Sequence, residues 1–85
     1  MKNILFFTGP NCPACTIAKK YADAHDITGY KTCDMSQSES AKLAAQYHIM
    51  GKPTLLVLDG HGAPKRSFHG SSCFSAYVKW KEQQK

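Results

Sequence analysis

At 85 residues the chain is long enough for one compact domain and too short for two, so residues 1–85 are read as a single folding unit. A hydrophobic fraction of 42%, with four Phe, four Tyr and one Trp, points to a packed core and excludes disorder. Eleven Lys and Arg against six Asp and Glu give a net charge of +5. The basic residues Lys19-Lys20, Lys65-Arg66, Lys79 and Lys81 are dispersed between elements, which speaks against a nucleic-acid-binding stripe and for a surface that favours acidic protein partners.

No segment approaches the ~20 apolar residues of a membrane span. Near the N-terminus the apolar run Ile4-Leu5-Phe6-Phe7 is far shorter than the ~7–15 residues of a signal-peptide core. The expected location is therefore the cytoplasm, without membrane association. In that reducing compartment the four cysteines are not structural staples, and a close pair among them points to a catalytic or metal role.

Asn3 to Phe7 reads as a first strand, apolar on both faces and hence central in its sheet. Thr8-Gly9-Pro10-Asn11 is the turn that delivers Cys12. A helix is predicted from Pro13 to about His25, with Ile17, Ala18, Tyr21, Ala22 and His25 on its inner face. Pro13 suits the first helical position, where its missing N–H would have had no partner. Cys12 then falls at the N-cap, where unpaired N–H groups and the helix dipole stabilise a thiolate. Lowering its pKa from ~8.5 to ~7 would favour the thiolate by roughly 2 kcal/mol. Two cysteines at this spacing can close a small disulfide, hold half of a metal site, or be buried and inert; the strand-then-helix setting favours redox chemistry.

After Gly29, Tyr30 to Asp34 reads as a second strand. Ser36-Gln37-Ser38-Glu39 has the form of a capping box, with Ser36 as N-cap of a helix running through Tyr47 and buried along Leu43, Ala44 and Tyr47. Thr54 to Leu58 is the strongest strand, Asp59-Gly60-His61-Gly62 a reversal, and Lys65 to His69 a returning edge strand. Ser71 or Ser72 can cap a last helix with Phe74, Tyr77 and Val78 as its apolar stripe and Lys81 snorkelling at the rim. The order β-α-β-α-β-β-α describes one layered α/β domain.

Cys12-Pro13-Ala14-Cys15 after the first strand and Gly51-Lys52-Pro53-Thr54 before the third, about forty residues apart, together resemble the thioredoxin/glutaredoxin family over essentially the whole chain. Length and motif are similar to the small glutaredoxin-sized thioredoxins of phages, archaea and bacteria. The resemblance implies a thioredoxin-like fold, a four-stranded mixed sheet of order 2-1-3-4 flanked by helices. It implies that Cys12 is the attacking cysteine and Cys15 the buried resolving one, and that Pro53 is the family's cis-proline. Lys52, with Pro53 and Thr54 beside it, would offer backbone N–H and C=O groups to an extended substrate, which suits in-line exchange without a demand for sequence.

The chain departs from both branches of the family. Asn11 stands where thioredoxins carry Trp, and Phe6 where they bury an Asp beneath the resolving cysteine. Ala14 replaces the glutaredoxin Tyr, and Gly-Lys-Pro replaces Thr-Val-Pro. Gly70-Ser71-Ser72 takes the place of the glutathione clamp Gly-Gly-x-Asp. Gly70, Ser71 and the following helix N-terminus can still receive a carboxylate, but no acidic residue is there to hold a glutathione amino group.

Cys33 and Cys73 read as small core residues, with a regulatory or glutathionylated thiol as the alternative for Cys73. The cysteines do not form a repeated Cys-x-x-Cys pair, and His25, His48, His61 and His69 lack ligand spacing, so no metal is expected. His25 reads as a helix end and His61 as a loop residue, while His69 can face the site. The function expected is that of a monomeric dithiol–disulfide oxidoreductase that reduces protein disulfides, with no cofactor beyond the Cys12–Cys15 disulfide. Thioredoxin reductase or glutathione would reset it, and ribonucleotide reductase is a client by resemblance. The rival readings are a glutathione-dependent glutaredoxin, a non-catalytic accessory subunit and a metal- or cluster-binding module.

Overall fold

The structure is a computed structural model and describes residues 3–84. Its elements are β1 (Ile4–Thr8), α1 (Pro13–Ala24), β2 (Lys31–Asp34), α2 (Ser38–Gln46), β3 (Thr54–Leu58), β4 (Pro64–His69) and α3 (Cys73–Gln83). The four strands form one sheet in the order β2-β1-β3-β4. β1 runs parallel to β2, and both β1–β3 and β3–β4 are antiparallel. This is the thioredoxin-like arrangement expected from the sequence.

Alternation along the central strands divides the core into two layers. Phe6, Leu55, Val57 and Phe68 pack with Ala18 and Ala22 of α1 and with Cys73, Phe74 and Tyr77 of α3. Leu5, Phe7, Leu56, Leu58 and Cys33 pack on the opposite face with Ala44 of α2, flanked by Leu43 and Tyr47. Central placement explains the apolar runs Leu5 to Phe7 in β1 and Leu55 to Leu58 in β3, which are buried on both faces of the sheet. No helix among the described residues is long and apolar enough to cross a membrane.

The reversal after β3 is built by one side chain. The Asp59 carboxylate accepts from the N–H groups of His61 (2.8 Å) and Ala63 (3.0 Å), and these bonds hold it below the usual carboxylate range. Gly62, at φ 81°, supplies the left-handed residue of the turn. Its carbonyl accepts from the Tyr47 hydroxyl at 3.1 Å, tying the end of α2 to the turn.

Three local expectations are corrected. Ser36 does not cap α2: both its N–H (2.9 Å) and its hydroxyl (2.7 Å) donate to Asp34 Oδ1, and the helix starts at Ser38 behind Gln37. The carboxylate at the strand end captures the serine before the helix can use it. Ile17 is 56% exposed and His25 is exposed at the C-cap of α1, stacked on Tyr21. Cys15, Ala18 and Ala22 form the buried arc, and Ile17 lies about 130° around the helix from its centre. Ser72 is the N-cap of α3, yet its side chain makes no capping bond. The Lys81 ammonium does reach back over the Tyr77 ring, 5.8 Å from its centroid.

Cys33 and Cys73 are fully buried and unpaired. Burial pushes the Cys73 thiol up to about 11, against the opposing pull of backbone N–H groups at the start of α3. An unfolded thiol ionises near about 8.5, so between that pH and 11 the folded state binds the extra proton and stability falls as pH rises. Denaturation should show a loss on the order of 2–3 kcal/mol across this window in the wild type and a clearly smaller loss in Cys73→Ala. Equal losses in the two proteins would contradict the assignment.

Candidate active site

One end of the sheet collects three loops. Phe7 pairs with Thr54, and Thr54 pairs with His69. The loop leaving β1 (residues 9–12), the loop entering β3 (residues 50–53) and the loop leaving β4 (residues 70–72) therefore converge.

In the first loop Asn11 adopts φ 53°, a left-handed conformation that Asn tolerates better than most residues. That turn presents Cys12 as the N-cap of α1 with Pro13 at its start. Cys12 Sγ accepts from the Cys15 N–H at 3.2 Å, and the Cys12 carbonyl accepts from the Thr16 N–H at 3.1 Å. Cys12 and Cys15 are joined as a disulfide with their Cα atoms 5.2 Å apart. Cys12 is half-buried and Cys15 is buried, so Cys12 is the more accessible sulfur of the pair. An N–H aimed at Sγ at a helix N-terminus favours the thiolate once the disulfide opens.

In the second loop the Lys52–Pro53 peptide is cis, as the resemblance implied, and Pro53 is fully buried. Lys52 is exposed, and among the described residues no hydrogen bond engages its backbone N–H or C=O. Met50, two residues before it, is 94% exposed. The third loop is tied to the second, because the Gly70 N–H donates to the Pro53 carbonyl at 3.0 Å. Gly70 thus commits its donor to Pro53, while Ser71 is exposed ahead of α3.

A side-chain chain links the second and third loops. The Thr54 hydroxyl donates to the Gly51 carbonyl at 2.8 Å, so toward His69 Nδ1, 3.3 Å away, it acts as acceptor. His69 Nε2 lies 3.2 Å from the Ser67 hydroxyl. In the neutral ring the proton therefore sits on Nδ1, with Ser67 donating to Nε2. His69 thus faces the site through Thr54. His25, His48 and His61 do not join it, and among the described residues no group of three His, Cys, Asp or Glu side chains is placed to hold a metal.

Phe6 occupies the position read as the family's buried Asp. Its ring is 1% exposed and lies 4.9 Å from the Phe74 centroid and 5.9 Å from the Tyr30 centroid. A carboxylate in that aromatic layer would be stranded without water. Two features of the site escaped the sequence reading: the His69–Thr54–Gly51 chain and the seat of the Lys52 side chain. The first was within reach, since the reversal at residues 59–62 brings the two ends of the β3–β4 hairpin together.

A mixed sheet of order 2-1-3-4, with a Cys-x-x-Cys disulfide at the N-terminus of its first helix, is a thioredoxin-like fold. Solved structures of that fold match the chain. Thioredoxin from Fasciola hepatica is 22% identical, covering 93% of this chain and 77% of its own with a TM-score of 0.68. Thioredoxin from Aeropyrum pernix is 17% identical, covering 96% and 73% with a TM-score of 0.72. The C-terminal domain of Neisseria meningitidis DsbD, in its oxidised form, is 19% identical, covering 99% and 80% with a TM-score of 0.71. No protein-family model and no curated protein matches the sequence.

Exposure and burial order the thiols. In reduced native protein, brief iodoacetamide treatment at neutral pH should alkylate Cys12 first and leave Cys33 and Cys73 unlabelled until denaturant is added. Preferential labelling of any other cysteine would overturn the assignment. Nitrogen NMR of the neutral ring should find His69 protonated at Nδ1; an Nε2–H ring would contradict the Thr54 donor assignment.

Proposed function

We propose that the chain is a dithiol–disulfide oxidoreductase that reduces protein disulfides, with Cys12 as nucleophile and Cys15 as resolving thiol. The observation that carries this reading is the pairing of a half-buried N-cap Cys12 with a buried Cys15 at the sheet end where the Lys52 backbone is open. The thioredoxin-like structures support it further.

The Cys12 thiolate attacks one sulfur of the client disulfide, which breaks and releases one client thiolate, leaving Cys12 in a mixed disulfide. Cys15 then loses its proton and attacks Cys12 Sγ, releasing the second client thiolate and forming Cys12–Cys15. Two electrons pass from the protein dithiol to the client; one client thiolate takes the Cys15 proton, and the other takes a proton from solvent to match the one Cys12 released on ionising. With Phe6 in place of a carboxylate, the first departing client thiolate is the base at hand for Cys15. During attack the open N–H and C=O of Lys52 bind the client chain in extended form, and the exposed Met50 adds apolar contact. Thioredoxin reductase or glutathione returns the disulfide to the dithiol, in the cytoplasm and with the protein acting as a monomer.

The glutaredoxin reading is the weaker of the two. Of the groups that could receive a glutathione carboxylate, the Gly70 N–H is already held by Pro53, and residues 70–72 carry no acid for the amino group.

Cys12→Ser should abolish reduction of a protein disulfide driven by dithiothreitol. Cys15→Ser should keep the first step and accumulate a mixed disulfide with the client, visible as an intact-mass adduct. Wild-type turnover in Cys15→Ser would show a monothiol route and contradict the proposal.

A further inference from the structure

We propose that the Lys52 side chain makes this site selective for disulfides flanked by acidic residues. The inference rests on the oxidoreductase reading and names its substrate class.

The Lys52 side chain turns back across the loop that leads to Cys12. Its ammonium donates to the Pro10 carbonyl at 3.4 Å, bridging the loop before β3 to the loop before α1. Gly9 makes this possible. A Cβ built on Gly9 would lie 2.8 Å from Lys52 Nζ, 3.0 Å from Cδ and 3.4 Å from Cε, so a side chain at position 9 would displace the lysine along its length. The cation is therefore seated beside the redox loop, and part of its rotamer entropy is lost before any client arrives.

That charge has no local counterweight in contact with it. With Cys12 and Cys15 joined as the disulfide, Lys52 is the one residue with a formal charge across residues 9–12, 50–53 and 70–72. The nearby acid, Asp34, gives Oδ1 to the Ser36 hydroxyl and N–H. These bonds are the main causes that hold its carboxyl below the ordinary range, with Lys52 the least of them, and among the described residues the two form no ion pair. An ammonium has three donors, and Pro10 takes one. A client chain docked on the Lys52 backbone brings the residues beside its cysteine within reach of the others. A carboxylate there gains a charge-assisted contact, whereas a lysine there meets repulsion. The overall charge of +5 draws acidic clients from farther away.

The test uses two disulfide-linked peptides of equal length, one with Glu and one with Lys on each side of the cysteine. Exposed ion pairs contribute modestly, so wild type should reduce the acidic peptide with a kcat/KM about fivefold higher at low salt. The ratio should approach one near 1 M salt, where the screening length is only ~3 Å. Lys52→Met keeps the stem against Gly9 and should lower the ratio about threefold, Lys52→Arg should retain it, and Lys52→Glu should invert it. Gly9→Ala leaves the charge count intact but removes the seat, and it should lower the ratio as well. A wild-type ratio near one, or a ratio unchanged in Lys52→Met or Gly9→Ala, overturns the selectivity and leaves the oxidoreductase reading standing. Failure to reduce either peptide overturns that reading, and the selectivity with it.

Discussion

The antiparallel pairing of β1 with β3 sets Phe7 opposite Thr54, and the loop cluster around the Cys12–Cys15 disulfide follows from that register. Both strands lie between two helical layers, with Phe6 and Leu55 buried toward α1 and α3, and Phe7 and Leu56 buried toward α2. A slip of one residue would turn each of these side chains to the wrong layer, so the register is held from both faces at once. Because the strands end where they do, the residues just beyond them, Gly9 to Cys12 on one side and Lys52 to Pro53 on the other, must meet. The Lys52–Pro10 bond is the visible sign of that meeting. β4 extends the same logic: its last residue faces Thr54, and the Gly70 N–H closes on the Pro53 carbonyl.

Two cysteines stand at helix N-termini in this fold, and burial decides between them. Cys12 is the N-cap of α1, half-buried, and receives the Cys15 N–H on its sulfur. Cys73 opens α3 and is 0% exposed between the sheet and the helix. The backbone N–H groups at its helix end act to stabilise a thiolate, yet desolvation outweighs them and leaves the thiol at about 11. A helix dipole alone does not make a reactive cysteine; access to water or to a partner sulfur is also required. The same competition suits the aromatic Phe6 beneath α1 and α3, since the layer that keeps Cys73 protonated would equally disfavour a charged carboxylate.

Much of this was readable from residues in a row. Thr54 to Leu58 stood out because a strand buried on both faces carries an unbroken apolar run, here Leu55 to Leu58, and its bounds agree with the structure. The cap formed by Cys12 and Pro13 was legible because it depends only on chain chemistry within one turn. The capping box at Ser36 failed for a different reason: two acceptor environments competed for one serine, and the winner, Asp34, stands at the end of a strand whose position the sheet sets. Ile17 was placed inside by counting apolar residues. The small side chains of Ala18 and Ala22 set the face that approaches the sheet, and Ile17 was left outside it. Contacts such as Thr54 with His69 or Lys52 with Gly9 join residues far apart in the chain and appear only when strand ends are brought together.

Reduction of clients requires that Cys12 and Cys15 form a reversible two-electron couple of sufficiently low potential. Equilibrating the protein with glutathione and thioredoxin couples, then counting alkylated thiols by intact mass, measures that potential directly. The account predicts a single transition confined to Cys12 and Cys15, at or below about −200 mV, where reducing members of the class lie. A potential near about −120 mV, the range of a dedicated oxidant, or a transition involving Cys33 or Cys73, would contradict it.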